Sequence, residues 1–276
     1  MATVKERLAK TTRFYQIIWA LCLIGMFIPL VRPLGLPVVL SEPVKDYYNS
    51  IVDLPEGSVI AVSFGASAAL LDEQEAQFLA TWKTIFQQGH KVIFYCTTED
   101  SPIVIRNELI VVVPESYGYT YGVDYVILPY SPLGEAGQAA FAQSIRSIYS
   151  TDIKGDPLDE IPLMEDIDNE EGIDLLVYQY TSCTDIEWAV RQWVVPFNKP
   201  VIATTLGCCG PMAAPYYPTQ IQGFLSGSGA GTELEVVSGN PGPGAAMGDA
   251  KNLGILPFLA AVLWMNIKPF IGKEEK

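Results

Sequence analysis

Charged residues are scarce in this chain. Asp, Glu, Lys and Arg make up 17% of its 276 residues, and hydrophobic residues make up 49%. An average soluble protein has about 25% charged residues. The composition therefore favours a protein that resides partly in a membrane.

Basic residues are few in the middle of the chain. Of the formal net charge of −14, residues 1–32 contribute +4 and residues 252–276 contribute +1, so residues 33–251 carry −19. Contacts to phosphate dominate the affinity of proteins for nucleic acids. We therefore expect no nucleic acid among the partners.

Histidine is nearly absent, since His90 is the only one. The sharpest enzymatic hypothesis is a Cys–His hydrolase with Cys208 or Cys209 as the nucleophile. His90 precedes a predicted strand and the cysteines follow another, which predicts opposite edges of the sheet. Proton transfer needs a partner at about 3 Å, so we expect no such pair.

Phosphate-binding motifs are also lacking. The Gly-Ser-Gly-Ala-Gly stretch at 227–231 is neither a G-x-G-x-x-G that follows a strand nor a Walker loop, and we expect no cofactor. The surrounding region, 223–248, is rich in Gly, Ser and Pro. This composition is typical either of a flexible stalk or of a closely packed backbone.

Two long runs contain no charge. The first, 14–31, has eighteen residues and just spans a hydrocarbon core of roughly 30 Å at about 1.5 Å per residue. The second, 252–267, has sixteen, and the flanking Lys251 and Lys268 can snorkel to help it span. A cleaved signal peptide is the alternative for the first run, and a buried core helix for the second.

Lys and Arg are more frequent outside the two runs than between them near their ends, so the positive-inside rule places both termini in the cytoplasm. The region between is then exoplasmic. The predicted layout is a cytoplasmic tail at 1–13, a transmembrane helix at 14–36, an acidic α/β domain at 37–226, a Gly-rich juxtamembrane segment at 227–251, a transmembrane helix at 252–271 and a cytoplasmic tail at 272–276.

Short apolar runs alternate with longer amphipathic segments in the middle domain, as in a parallel sheet covered by helices. The predicted strands are 58–63, 91–96, 124–128, 173–179 and 200–204. The predicted helices are 42–52, 72–88, 101–115, 133–149, 185–195 and 213–225, of which 101–115 is rich enough in Ile and Val to be a strand instead. We predict a doubly wound, mostly parallel five-stranded sheet, Rossmann-like or flavodoxin-like.

Ligands of open parallel sheets bind beyond the carboxyl ends of the strands. The polar residues predicted there are Ser63, Ser67, Thr97, Thr98, Glu99, Asp100, Thr181, Ser182, Cys183 and Thr205. They indicate a pocket for a small molecule or a metal, with Ser63, Cys208 and Cys209 as catalytic candidates. The alternative is that loops after strands are polar because they meet water.

The cysteines near these strand ends suggest a disulfide. If the last two strands are neighbours, Cys183 can reach Cys208 or Cys209, and an oxidising exterior permits the bond. Free structural thiols are the alternative. The spacing lacks the C-x₂₋₄-C pairs of zinc sites.

An acidic segment resembles the opening of an EF-hand calcium loop, with Asp166, Asp168 and Glu170 as metal candidates. The glycine comes one place late, and Val177 stands where a bidentate Glu is required. These departures favour a solvated run of charges over a calcium site.

Gly244 and Gly248 are four residues apart, a spacing that lets a second membrane helix approach closely. The neighbouring Asp249 argues against a contact buried in lipid. With no convergent catalytic groups, we predict a membrane-anchored structural or interaction subunit of a larger membrane assembly, with homo- or hetero-oligomeric membrane-protein partners. A membrane-tethered enzyme or ligand-binding domain that uses the strand ends is the alternative.

Overall fold

The computed structural model describes residues 4–271. The chain divides into two compact units, one comprising residues 1–37 with 243–276 and the other residues 38–242. The cytoplasmic tail predicted at 272–276 lies outside the described residues.

The described residues form ten α-helices and six strands. The helices are α1 (Val4–Val31), α2 (Glu42–Val52), α3 (Leu71–Gln87), α4 (Ser101–Val112), α5 (Gly134–Gln143), α6 (Ile186–Ala189), α7 (Val195–Phe197), α8 (Gly210–Ala213), α9 (Gly227–Val237) and α10 (Pro243–Ile271). The strands are β1 (Val59–Gly65), β2 (Lys91–Cys96), β3 (Tyr125–Tyr130), β4 (Leu175–Tyr180), β5 (Val201–Thr205) and β6 (Gly223–Ser226). A π-helical segment, Val190–Val194, joins α6 to α7.

The strands form one all-parallel sheet in the order β3-β2-β1-β4-β5-β6. This confirms the doubly wound α/β fold, and the order is that of the Rossmann arrangement. The predicted count of five strands is one too few. The additional strand, β6, lies where a helix was predicted at 213–225; Pro215 and Pro218 interrupt the helical pattern there, and the apolar residues that follow pair with β5.

Apolar side chains cover both faces of the sheet, as the near-continuous apolar strands predict. On one face, Phe64 of β1 and Phe94 of β2 pack against Trp82 of α3. On the other, Tyr95 stacks on Phe141 of α5. The inner strands of the sheet are therefore buried on both faces, and loops follow at its carboxyl-terminal edge.

The Gly-rich region is a closely packed backbone and not a flexible stalk. A Cβ on Gly231 of α9 would lie 2.9 Å from the Cβ of Ala76 in α3. A Cβ on Gly223 of β6 would lie 2.3 Å from the backbone nitrogen of Tyr47 in α2. The small residues thus let α9 and β6 approach neighbouring helices at backbone distance.

Two helices are long and apolar enough to cross a membrane. The candidate spans are Thr11–Val31 and Pro243–Lys268, and only 11% and 6% of their most apolar windows are buried. A core helix of a soluble protein would be mostly buried. The first helix ends before the predicted limit of residue 36, since Pro33 follows it, and the second begins nine residues before the predicted 252.

The α1–α10 unit is held together by small residues and by one carboxylate. A Cβ on Gly25 would lie 2.9 Å from the carbonyl oxygen of Leu253, and one on Gly254 would lie 2.4 Å from the Cγ of Met26. Gly244 is buried and Gly248 is half-buried in the first turns of α10. The backbones of α1 and α10 therefore approach closely at Gly25 and Gly254.

Asp249 ties the segment after α1 to α10. Its carboxylate is 4% exposed and accepts hydrogen bonds from the backbone N–H groups of Leu34, Gly35 and Leu36 at 2.7, 2.8 and 3.0 Å. Three amide donors on one carboxylate compensate its charge where water is largely excluded. This role explains an acidic residue near the start of an apolar helix.

Asp249→Asn should loosen this helix pair, because the amide offers one acceptor oxygen where the carboxylate offers two. We expect a loss of about 2 kcal/mol, the scale of a hydrogen bond to a charged group, which is roughly a thirtyfold increase in transient opening. Cys22 lies in α1 and is 8% exposed, so its reactivity with a maleimide in detergent measures that opening. In a Cys208→Ser background, Asp249→Asn should accelerate labelling and Asn266→Ala, an exposed position on α10, should not. Equal rates would refute the role of the carboxylate.

Candidate functional site

The carboxyl-terminal edge of the sheet is where this fold offers a site. β1 and β4 are neighbours, and the chain leaves their ends toward opposite faces of the sheet, through α3 and α6. Such a switch point opens a crevice in doubly wound folds. The residues that enter it are Ala66 and Ser67 after β1 and Thr181 to Cys183 after β4.

Hydrogen bonds close this crevice from one strand end to the next. The hydroxyl of Thr181 donates to the carbonyl oxygen of Gly65 at 3.2 Å, and that of Thr98 donates to the carbonyl oxygen of Ala66 at 3.2 Å. Gly65 is crowded, since a Cβ there would lie 2.6 Å from the Oγ1 of Thr97. The hydroxyl groups of Thr98 and Thr181 thus both bind backbone carbonyl groups at the end of β1.

Carboxylates of the chain occupy the turns at which this fold usually binds anions. Asp100 accepts from the hydroxyl of Ser67 at 3.3 Å and from the N–H of Ala68 at 3.2 Å, in the turn that precedes α3. Glu73 accepts from the N–H of Gly207 at 2.7 Å, after β5. Backbone N–H groups at such turns are the donors that phosphates use elsewhere. Here internal acceptors take them.

Two glutamines of α3 complete the edge, and the sequence analysis missed both. Gln74 donates to the carbonyl oxygen of Tyr180 at 2.9 Å, and Gln77 donates to those of Thr205 and Gly227 at 3.3 and 2.7 Å. Both glutamines are fully buried. The sequence offered one indication of this role: the two glutamines are three residues apart, and this spacing places both on the apolar face of α3.

A disulfide joins Cys183 to Cys209 across the ends of β4 and β5. This confirms the predicted pairing and selects Cys209 as the partner. Cys209 is fully buried, Cys183 is half-buried, and the Sγ of Cys209 lies 4.0 Å from the carbonyl oxygen of Thr181. The bond therefore fixes the loop after β5 beside the switch point.

Cys208 is a free, exposed thiol beside this disulfide. Its Sγ lies 3.8 Å from the Sγ of Cys209, and the sulfur atoms of Cys183, Cys208 and Cys209 all lie within 4.8 Å of one another. Three thiolates at that spacing would suit a soft metal ion, but the disulfide takes two of them. Cys96 differs, because burial raises the pKa of its thiol to about 12.

Several predicted site residues lie elsewhere or are buried. Ser63, a predicted catalytic candidate, lies inside β1, which continues to Gly65; it is 1% exposed and its Oγ accepts a hydrogen bond from Gln138 at 3.0 Å. Thr205 is fully buried, whereas Glu99 and Ser182 are exposed.

His90 lies before β2, at the opposite edge from the cysteines. It is fully buried, and its Nε2 is 2.9 Å from the carbonyl oxygen of Ile51. The direction of the parallel strands therefore places His90 and the cysteines at opposite edges, as predicted.

The acidic segment supports the loop after α5. Asp168 accepts from the backbone N–H of Arg146 at 2.8 Å and from the hydroxyl of Ser144 at 2.9 Å. Glu170 lies 3.2 Å from the ammonium of Lys199. Asp166 is exposed. Asp168 and Glu170 thus make structural contacts, which the sequence pattern did not predict.

A second surface is the outer face of α4, formed by Ile103, Arg106, Asn107, Ile110 and Val111. Ile103, Ile110 and Val111 are 61%, 73% and 56% exposed. The inner face of the same helix is also apolar and buried in the core. Three exposed aliphatic side chains on the outer face of a helix are more than a fully solvated face usually carries.

A groove of about 1010 Å³ runs beside this outer face, between α4 and the edge strand β3. Arg106 and Lys154 line it, and the ammonium of Lys154 lies 3.2 Å from the ring centroid of Tyr121. Residues 33–251 contain nine basic residues and 28 acidic ones. Two of those nine basic residues line this groove, together with a single acidic residue, Glu115.

Comparisons of the chain with protein-family models, curated proteins and solved structures found no match.

Proposed function

We propose that the chain is a membrane-anchored structural subunit of an oligomeric membrane assembly, which presents the α/β unit on the exoplasmic side. The outer face of α4 carries this proposal. Its three exposed aliphatic side chains would be stabilised by burial, at about 25 cal/mol per Å² of apolar area removed from water. Exposed apolar patches of this kind are typical of contact surfaces between proteins.

The occupant of this face is a second copy of the chain. Two copies of a region that carries −19 repel each other wherever acidic groups meet. The outer face of α4 contains no acidic side chain, and the groove beside it is lined by Arg106, Lys154 and one acidic residue, Glu115. Contact of α4 with α4 therefore avoids most of the repulsion between acidic groups that other pairings of this region would bring.

Two further observations support the assignment. Disulfides persist in oxidising compartments, so the Cys183–Cys209 bond supports an exoplasmic α/β unit. The carboxylates of Asp100 and Glu73 take up backbone donors that a phosphate-bearing cofactor would otherwise use. The first observation favours the topology, and the second favours a structural role over nucleotide chemistry.

Ile110→Arg should separate the copies, because it places a cation at the centre of the pairing. Removal of a central apolar contact costs about 2 kcal/mol, which is roughly a thirtyfold increase in the dissociation constant. The dissociation constant can be measured by native mass spectrometry of the full chain in mild detergent over a range of concentrations.

Val195→Arg is the matched control, since Val195 is 69% exposed on α7 and the charge change is the same. It should leave the oligomer unchanged. A wild-type chain that is monomeric at every concentration, or an equal loss in both variants, would contradict the proposal. Capture of the wild-type chain by a different protein through α4 would contradict the second copy as the occupant.

A further inference from the structure

The three cysteines at the ends of β4 and β5 form an arrangement that a structural disulfide does not require. A buried crosslink needs two cysteines, and the third, Cys208, is exposed. Its sulfur lies 3.8 Å from that of Cys209, close to van der Waals contact. Cys209 is fully buried and Cys183 is half-buried, so Cys208 is the sulfur of the cluster that an outside molecule reaches most easily.

We propose that Cys183, Cys208 and Cys209 form a thiol–disulfide exchange centre, in which Cys208 transfers the disulfide to a substrate that carries two thiols. The substrate class is a dithiol peptide or protein segment, because the accessible sulfur is exposed at the open edge of the sheet. This inference does not depend on the α4 pairing or on the topology. It needs only the disulfide and the neighbouring thiol.

The first step is internal. The Cys208 thiolate attacks the Sγ of Cys209, a Cys208–Cys209 bond forms, and the Cys183–Cys209 bond breaks. The electron pair leaves on Cys183, whose thiolate takes a proton from water. No electrons enter or leave the chain in this step.

The new bond is easier to reduce than the old one. The Cα atoms of adjacent residues are about 3.8 Å apart, below the roughly 4.4–6.8 Å usual for a disulfide. The Cα atoms of Cys183 and Cys209 are 4.6 Å apart, within that range. A disulfide between neighbours is strained, which favours its transfer to the substrate.

The second step moves the disulfide outward. One substrate thiolate attacks the exposed Sγ of Cys208, a mixed disulfide forms, and Cys209 leaves as a thiolate that is then protonated. The second substrate thiolate then attacks the first substrate sulfur, which is bonded to Cys208. The substrate disulfide forms, and Cys208 leaves as a thiolate. Two electrons and two protons pass from the substrate to Cys183 and Cys209, so each chain oxidises one dithiol.

The test uses the purified full chain in detergent, without oxygen, and an excess of a synthetic peptide that contains two cysteines. We expect one peptide disulfide per chain by mass spectrometry. Cys208→Ser should slow its formation about tenfold or more, because a thiol held next to the bond acts at a far higher effective concentration than a millimolar peptide. Cys22→Ser removes a free thiol outside the cluster and should leave the rate unchanged.

A peptide with a single cysteine locates the reacting sulfur without any substitution in the chain. We expect the mixed disulfide on Cys208, with Cys183 free for alkylation. Oxidation of the dithiol peptide by Cys208→Ser at the wild-type rate, or a mixed disulfide on Cys183, would overturn the proposal. So would a wild-type disulfide that the excess dithiol peptide leaves intact.

Discussion

Replacement of Gly223 by alanine should lower the free energy of unfolding of the α/β unit by about 3 kcal/mol, the upper part of the range for overpacked positions. The added Cβ would lie 2.3 Å from the nitrogen and 2.5 Å from the Cα of Tyr47. These atoms belong to the backbone of α2, so no side-chain rotation relieves the clash. α2 must move away from β6, and Tyr47 is fully buried with its hydroxyl 2.9 Å from that of Thr81.

Gly229→Ala is the matched control, since no atom lies within 4 Å of its added Cβ and the residue is in α9. There alanine should stabilise the unit by about 0.5–1 kcal/mol through its helix propensity. Chemical denaturation of the full chain in detergent, followed by far-UV circular dichroism, compares the two. If Gly223→Ala unfolds at the wild-type midpoint, α2 does not approach β6 at backbone distance.

Removal of the disulfide should have an effect of similar size. The bond closes a loop with a sequence separation of 26, and a crosslink of that span contributes about 3 kcal/mol. For a unit of this size, that is a fall in melting temperature of roughly 6–12 °C. The double variant Cys183→Ala with Cys209→Ala avoids re-pairing with Cys208.

Cys208→Ala is the control, because it removes the exposed thiol next to the disulfide and leaves the Cys183–Cys209 bond in place. It should change the stability by no more than about 0.5 kcal/mol. A reducing agent should lower the melting temperature of the wild type to that of the double variant. If the reductant has no effect on the wild type, the disulfide contributes nothing to stability.

The sequence predicted the elements that have clear ends. The bounds predicted for β2 and α2 agree with the structure. Both elements have a clear start in the sequence, because Gly89 precedes the apolar run of β2 and Ser41 precedes the first residue of α2. β6 was missed because it has four residues and follows a Pro-rich segment. Its strand character comes from pairing with β5, which a local pattern does not contain.

The candidate site was only partly predictable. The pairing of β4 with β5 brings Cys183 near the two adjacent cysteines, and that neighbourhood was foreseen. Which of the two is buried depends on the 3₁₀ turn at Gly207–Cys209. The carboxylates of Asp249, Asp100 and Glu73 accept hydrogen bonds from backbone N–H groups. Every residue except proline has such a group, so the sequence does not show which one will donate. Long-range contacts of this kind come only from the folded chain.

The exposed face of α4 shows a different limit. Its Ile and Val residues left a helix and a strand as alternatives. The structure has a helix with half of those residues exposed. These exposed side chains support the proposed pairing of α4 with α4, which the sequence pattern alone does not indicate.

The central claim is that both long helices cross the membrane and that the α/β unit lies outside the cytoplasm. Cys208 tests it directly, because it is exposed while the free thiols Cys22 and Cys96 are buried. A membrane-impermeant maleimide added to intact cells should label the wild type and not Cys208→Ser, and tags on both termini should bind antibody only after permeabilisation. Labelling of Cys208 that requires permeabilisation, or a tag exposed on intact cells, would contradict the account.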